Sequence, residues 1–332
     1  MPAEWEPHEA TWLAWPHEAT DWPGKFAAIG WVYGDIVRRL ARVEKVRILI
    51  ESSAGEKKAR RVLQRCGANL GQVEFLHCPT DRSWTRDYGP IFVHGEPGHL
   101  IATDWIFNGW AKYGNHHLDN AVPQFIAEQL HMPRVETGIV LEGGSIDVNG
   151  AGTLLTTEEC LLSPVQARNP HLHREQIEHV FATHLGINQT IWLGQGIAGD
   201  DTHGHIDDIA RFVNEDTIVA TVEENPSDLN YVPLRDNLER LRRTAFHIVE
   251  LPMPEPVYFD GQRLPANYAN FYIANSLVLV PTFNDPKDLI ALDILADLFP
   301  SREVIGIAAT DLVLGLGTLH CMTQQQPAVG PT

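Results

Sequence analysis

Four short polar clusters carry the residue types that hydrolytic chemistry needs: Trp84-Thr-Arg86-Asp87, Glu142-Gly-Gly144, His203-Gly-His205-Ile-Asp207-Asp208 and Gly315-Leu-Gly317-Thr-Leu-His320-Cys321. Together they offer a thiol, imidazoles and several carboxylates, a set suited to nucleophilic attack assisted by a proton carrier. Cys321 follows a Gly-Leu-Gly-Thr turn whose backbone N–H groups can approach its sulfur and leave it at a loop or strand edge, which makes it the candidate nucleophile. A buried inert cysteine is the opposing expectation, and it is the one assigned here to Cys66, Cys78 and Cys160, since free cysteine is among the most buried residue types. The polar tail His-Cys-Met-Thr-Gln-Gln-Gln sets Cys321 apart.

His205 and Asp207 alternate across one residue, so in an extended strand both side chains project from the same face and a base shares a site with a carboxylate. Asp87, in Trp-Thr-Arg-Asp-Tyr-Gly-Pro, can accept two N–H bonds from a planar guanidinium, or it caps a turn or pairs with Arg86. Glu142 follows the apolar run Gly138-Ile-Val-Leu141, where a carboxylate is costly unless paired; it is a partner of His205 or a buried anchor. Trp84, with Trp110 behind it, can cover an alkyl chain or stack on a cation, although aromatics more often belong to the core.

The same segment also admits a metal. His203-Gly-His205-Ile-Asp207-Asp208 resembles the H-x-H-x-D-H of metallo-β-lactamase-fold hydrolases, with Asp208 where the last His belongs. A zinc site on His203, His205 and Asp207 needs further ligands, and the contexts of His247 and His320 supply no obvious set.

The elements that must position these clusters form an alternating pattern. Lys45 to Ile50 and Val73 to His77 read as strands, with Gly55 to Cys66 helical between them, so the class is α/β. Hairpins recur: Pro90 to His94 with Leu100 to Thr103, Gly144 to Val148 with Thr153 to Thr156 across Asn149-Gly150, and Ile206 to Val213 with Thr217 to Val222. Helices follow two of them, at Ala121 to Leu130 and at Asn169 to Leu185, the latter with a capping Asn and Pro at its first position. The unit hairpin, helix, strand repeats every 50 to 60 residues or so, and about five copies fill the chain. In a radial array equivalent strand ends converge on the axis, so clusters far apart in sequence can share one pocket. An ordinary two-domain α/β enzyme is the alternative that periodicity leaves open.

Bulk properties bound the partners. The chain has 332 residues, 44% of them hydrophobic, and no linker or low-complexity tract divides it, so one domain over residues 1–332 is expected. A formal charge of −18 argues against nucleic acid or anionic membrane and favours cations, although acidic surfaces also serve solubility alone. There is no apolar run long enough for a membrane helix and no secretory pattern at the start, and the scattered cysteines suit a reducing, cytoplasmic setting.

Across almost its whole length the chain resembles the agmatine deiminases of the guanidino-group-modifying (pentein) superfamily. The resemblance rests on Met1-Pro-Ala-Glu-Trp-Glu-Pro-His8, Thr11-Trp-Leu-Ala-Trp-Pro16, Trp84-Thr-Arg-Asp-Tyr-Gly-Pro90, Phe107-Asn-Gly-Trp110, Glu142-Gly-Gly144, Gly204-His-Ile-Asp-Asp208, Pro281-Thr-Phe-Asn-Asp-Pro286 and His320-Cys-Met-Thr-Gln-Gln-Gln-Pro327. It implies a five-bladed α/β propeller with pseudo-fivefold symmetry, a cysteine nucleophile, no metal and no cofactor. Position by position, Cys321 falls on the nucleophile, His205 on the general acid/base, Glu142 on its acidic partner, and Asp87 and Asp207 on the guanidinium-binding carboxylates, with Trp84 walling the site. The implied reaction converts agmatine to N-carbamoylputrescine and ammonia, with free or peptide-terminal arginine as the nearest alternative substrate; a homo-oligomer is compatible with the resemblance. Two departures touch the distal pocket: Gly-Leu-Gly-Thr replaces a longer glycine run before the nucleophile, and Ala-Lys-Tyr follows Trp110 where Gly-Gly is common.

Overall fold

The computed structural model describes residues 1–96 and 98–329. Five small sheets repeat one plan: an antiparallel hairpin, a helix, and a third strand that pairs in parallel with the second strand of the hairpin. Blade 2 is Ile91–His94, Leu100–Ile106 and Arg134–Val140; blade 3 is Asp147–Val148, Thr153–Thr157 and Gln189–Leu193. Blade 4 is Ala210–Asn214, Thr217–Val222 and His247–Pro252; blade 5 is Tyr272–Ala274, Leu277–Thr282 and Glu303–Ala308. Blade 1 joins the two ends of the chain: Gln324–Pro327 runs antiparallel to His8–Ala14, which pairs in parallel with Lys45–Ile50, itself parallel to Val73–His77. The five-bladed architecture expected from the repeat is the one observed.

Crossover helices such as Phe26–Leu40 and Tyr231–Leu241 are amphipathic and bury an apolar stripe between sheets, whereas Lys287–Leu298 buries Ala291 and Leu295 and leaves Leu289 and Ile290 exposed. Phe26–Leu40, the helix of blade 1, packs on Glu303–Ala308 of blade 5; Lys287–Leu298 of blade 5 packs on His247–Pro252 of blade 4; Tyr231–Leu241 of blade 4 packs on Gln189–Leu193 of blade 3. A helix laid against the outer strand of the preceding blade turns a row of sheets into a ring. The second strands, such as Leu277–Thr282 and Thr153–Thr157, are almost wholly buried and read as continuous apolar or β-branched runs because they are covered on both faces. No helix among the described residues is long and apolar enough to cross a membrane.

Three expectations on elements need correction; the strand expected over Gly144 to Val148 is extended only at Asp147–Val148, because Gly143–Ser145 forms a 3-10 turn. The helix expected to begin at Asn169 begins at Arg174 behind His173; the Asn169 side chain instead accepts from Val140 N at 3.0 Å and donates to Val140 O at 2.8 Å, tying blade 2 to the loop. The extended strand expected from Ile206 starts only at Ala210, and Ile206–Asp208 forms a 3-10 turn.

Each innermost strand is entered through a short turn or loop. Thr85–Tyr88 precedes blade 2, Gly143–Ser145 blade 3, Ile206–Asp208 blade 4, the loop holding Asn267 and Asn270 blade 5, and the loop holding His320 and Cys321 the strand Gln324–Pro327. These five entries are the structural equivalents of one another, and they carry the site.

Candidate active site

The entries converge at the floor of a cavity of about 480 Å³ lined there by Cys321, Asp87, Trp84 and Trp110. Gly144 marks the meeting point: a Cβ placed on it would lie 2.6 Å from His205 Nδ1, 2.8 Å from Asp87 Oδ1 and 3.0 Å from Asp207 Oδ2. Only a residue without a side chain leaves these three groups in mutual reach. Gly317 plays a similar part beside the nucleophile, where a Cβ would sit 3.0 Å from Cys321 Cβ and 2.9 Å from the Trp84 ring.

Cys321 Sγ receives Asn270 Nδ2 at 3.1 Å and stands 3.7 Å from Asp207 Oδ2. Burial pushes its thiol well above the usual range, and the charges of Asp207, Asp208 and Asp87 add to the effect.

Asp87 accepts Gly144 N on Oδ1 at 3.0 Å and Trp110 Nε1 on Oδ2 at 2.8 Å. Burial, with the charges of Asp207 and Glu142, pushes its carboxyl up to about 6 against the pull of His205 and the Trp110 bond. Asp207 behaves oppositely: burial raises it, but His320 Nδ1, at 2.6 Å from Oδ2, together with the charges of His205 and Arg211, holds it below the ordinary carboxylate range. Its Oδ1 has no hydrogen-bond partner among the described residues. Asp208 turns away from the cavity and accepts Asn267 Nδ2 at 2.8 Å and Asn270 Nδ2 at 3.0 Å; burial and the neighbouring Asp207 and Asp200 push its carboxyl well up.

His205 is completely buried and sits between Asp87 Oδ1, 3.7 Å from Nδ1, and Glu142 Oε2, 3.8 Å from Nε2. Both ring nitrogens and Glu142 Oε2 lie beyond hydrogen-bond reach of any partner among the described residues. Burial disfavours the imidazolium, yet Asp87, Cys160 and Glu142 raise its pKa well above the ordinary histidine value. Glu142 is held down to about 2; burial opposes this, and the Arg168 guanidinium 2.9 Å from Oε1, with His205, overcomes it. The expected pairing of His205 with Asp207 is present as a 4.0 Å approach of Nδ1 to Oδ1, produced by the 3-10 turn rather than by strand alternation.

Both tryptophans line the cavity, but neither is a free wall. Trp84 Nε1 donates to Asp21 Oδ2 at 3.3 Å and its ring stands 5.4 Å from that of Trp22, while Trp110 is held through Asp87. The trio His203, His205 and Asp207 does not assemble. His203, at φ +64°, directs its ring to Ser163 Oγ at 3.4 Å and Glu159 at 3.9 Å, away from the floor. The groups of metal-ligating types that do gather are Glu142 with Cys160 and His205, and Asp207 with Asp208 and Cys321. Cys160, expected to be inert core, is thus buried against His205.

Four participants escaped the sequence reading: Asn270 beside the sulfur, Arg168 behind Glu142, and His320 with Glu4 behind Asp207. Asn270 could have been found from the repeat, since it occupies in blade 5 the entry that Cys321, Asp87, Glu142 and His205 occupy in the others.

Residues 1–327 match the family model of the Porphyromonas-type peptidyl-arginine deiminases. The chain is 34% identical to an agmatine deiminase of Pseudomonas syringae pv. tomato, over 99% of this chain and 95% of that protein. The agmatine deiminase of Stutzerimonas stutzeri is likewise 34% identical over 99% of this chain and 95% of its own. Among solved structures, a Cys-to-Ser agmatine deiminase from C. jejuni with substrate bound superposes at a TM-score of 0.92, with 34% identity, covering 99% of this chain and 96% of that one. The Enterococcus faecalis agmatine deiminase gives 0.91 at 30% identity, over 98% and 95% of the two chains. An amidinotransferase from Microseira wollei shares the fold alone, at 0.54 and 12% identity, over 100% of this chain and 98% of that one.

Proposed function

Because the chain belongs to the Porphyromonas-type peptidyl-arginine deiminase family, we propose that it deiminates agmatine, giving N-carbamoylputrescine and ammonia through a covalent thiouronium on Cys321. The observation that carries this reading is the convergence of Cys321, Asp87, Asp207 and His205 around Gly144 at the floor of one cavity.

A guanidinium is planar, rich in donors and a poor electrophile, so its carbon must be fixed between carboxylates before a thiolate can add to it. Asp207 Oδ1, without a protein partner, and Asp87, with one protein donor on each oxygen, both retain acceptor capacity for it. Seating the cation there offsets the carboxylate charges that, after burial, hold the Cys321 thiol up, and the thiol proton passes to solvent as the substrate enters.

The thiolate then forms a C–S bond to the guanidinium carbon. His205, as imidazolium, protonates the departing nitrogen; the C–N bond breaks, ammonia leaves and a thiouronium remains on Cys321. Neutral His205 next takes a proton from water, whose oxygen adds to the same carbon. The C–S bond breaks, the hydroxyl proton passes to the sulfur, and the ureido product departs from a free thiol. Glu142, fixed by Arg168, steadies the charged state of His205.

Agmatine rather than arginine is supported by the rest of the cavity lining, where Asp21, Asp201 and Asp260 accompany Arg82; Arg82 is paired with Asp21, and Asp201 with Lys112. An alkylammonium suits such a wall, whereas an α-carboxylate meets like charge. We read the chain as one catalytic unit, its two ends paired in blade 1, acting in the cytoplasm with its four cysteines free. Homo-oligomerisation remains part of this reading on family grounds; nucleic acid and membrane do not, given the charge of −18.

The test is an assay of ammonia, ureido product and urea from agmatine, arginine and a peptide with terminal arginine, with and without chelator, using Cys321→Ala as control. Ammonia and ureido product from agmatine alone, resistant to chelator and lost in the variant, support the reading. Urea release, or activity that survives loss of Cys321, overturns it.

A further inference from the structure

Glu4 lies far from the cavity in sequence and has no part in the mechanism above, yet it is buried where the blades meet. Its Oε2 receives His320 Nε2 at 2.9 Å from blade 1 and Arg86 at 3.2 Å from the entry to blade 2. Its Oε1 receives Ile273 N at 2.8 Å from blade 5 and lies in ion-pair range, 3.1 Å, of Arg211 from blade 4, and Arg211 reaches on to Asp147 of blade 3 at 2.8 Å. The segment that carries Glu4 is anchored by the Met1 amino group, 2.7 Å from Leu185 O.

The ring of His320 stands between two carboxylates, Glu4 on Nε2 and Asp207 on Nδ1 at 2.6 Å. An ionised carboxylate only accepts, so the ring satisfies both partners by donating from both nitrogens. Asp207 Oδ2 is thereby engaged, and Oδ1 is left to the substrate.

We propose that Glu4 is a positioning residue: acting through His320, it fixes the charge and orientation of Asp207, so that the amino-terminal segment is part of the guanidinium-binding apparatus. This rests on the deiminase reading. Burial alone would raise the Glu4 carboxyl, but Arg211, His320 and Arg86 keep it well below the usual range, consistent with a fixed anion. The other ionisable groups facing Asp207 are His205, Cys321, Asp208, Asp87 and Arg211; Arg211 also pairs with Glu4 through charge, while His320 is the residue that hydrogen-bonds to both carboxylates.

Glu4→Gln removes the anion and leaves the shape. His320→Asn keeps an N–H donor for Asp207 but cuts the link to Glu4, and the double variant tests whether the two act as one unit. The expected result is a rise of about tenfold in KM for agmatine in each single variant, larger than the fall in kcat, with no further rise in the double variant. A purely structural Glu4 would lower melting temperature and kcat with KM unchanged, and that outcome overturns the proposal. Should Glu4→Gln fail to fold, His320→Asn decides alone, an unchanged KM again overturning it.

Nitrogen-15 NMR of labelled histidine gives a readout independent of turnover. A His320 Nε2–H signal that is hydrogen-bonded in the wild type and lost or shifted in Glu4→Gln supports the linkage even if agmatine is not the substrate. The same ring signal in both proteins overturns it.

Discussion

Arg168 Nε lies 2.9 Å from Glu142 Oε1 with both side chains fully buried, and the second oxygen of that carboxylate faces His205 Nε2 at 3.8 Å. Arg168 also donates to Gln166 O at 2.9 Å and Thr202 O at 2.5 Å, which locks the loop before blade 4. His205 is thus backed by an ion pair buried behind Glu142.

Arg168→Met leaves the Glu142 charge buried without its partner, which should cost about 3–5 kcal/mol of stability. Thermal unfolding near neutral pH checks this, and adding Glu142→Gln should recover part of the loss. Glu142 is depressed to about 2 from 4.5, so the stability from this pair is fully present above about 4.5 and is lost as the pH falls towards 2. A stability difference that persists undiminished at pH 2 would contradict this account.

Activity should have an acid limb set by Asp87. Its carboxyl lies at about 6 in the free protein, and only the ionised form holds a guanidinium, so kcat/KM should fall as pH drops below about 6. The alkaline limb should reflect loss of the His205 imidazolium, whose pKa is raised well above 6.5, so it lies on the far side of neutrality. A pH series of kcat/KM with agmatine reads both.

Trp110→Phe deletes the indole N–H that reaches Asp87 Oδ2 at 2.8 Å. A hydrogen bond to a charged group contributes roughly 1.5–3 kcal/mol, or about one to two pH units. The acid limb should therefore move to higher pH by that amount while the alkaline limb stays in place; a limb that does not move would deny Asp87 its role.

Gly144→Ala puts a methyl group where His205, Asp87 and Asp207 meet. Displacing reacting groups by about an ångström costs on the order of 10²-fold, so kcat/KM should fall at least that far. Equilibrium binding of agmatine to the Cys321→Ala background should weaken in parallel, because two of the three displaced groups hold the substrate.

Much of this was legible from local pattern. Lys45–Ile50 coincides with its predicted bounds because a β-branched apolar run covered on both faces has few alternatives, and the partly exposed edge strand Val73–His77 coincides with its own bounds beside it. Asn169 misled because a side chain that could cap a helix spends both polar atoms on Val140, a contact that exists only after blades 2 and 3 pack. His205 and Asp207 share a site for a reason different from strand alternation, as a 3-10 turn before Ala210 brings them together. Arg168, Glu4 and His320 act across blades, and a pairing such as Glu4 with His320 leaves no mark in the neighbouring sequence. Asn270 was the avoidable omission, since the repeat already pointed to the entry of blade 5.

The strand that follows Cys321, Gln324–Pro327, completes the sheet begun by His8–Ala14. Seating of Cys321 therefore depends on a pairing between two segments far apart in the chain, a contact of high sequence separation and hence a slow one to form.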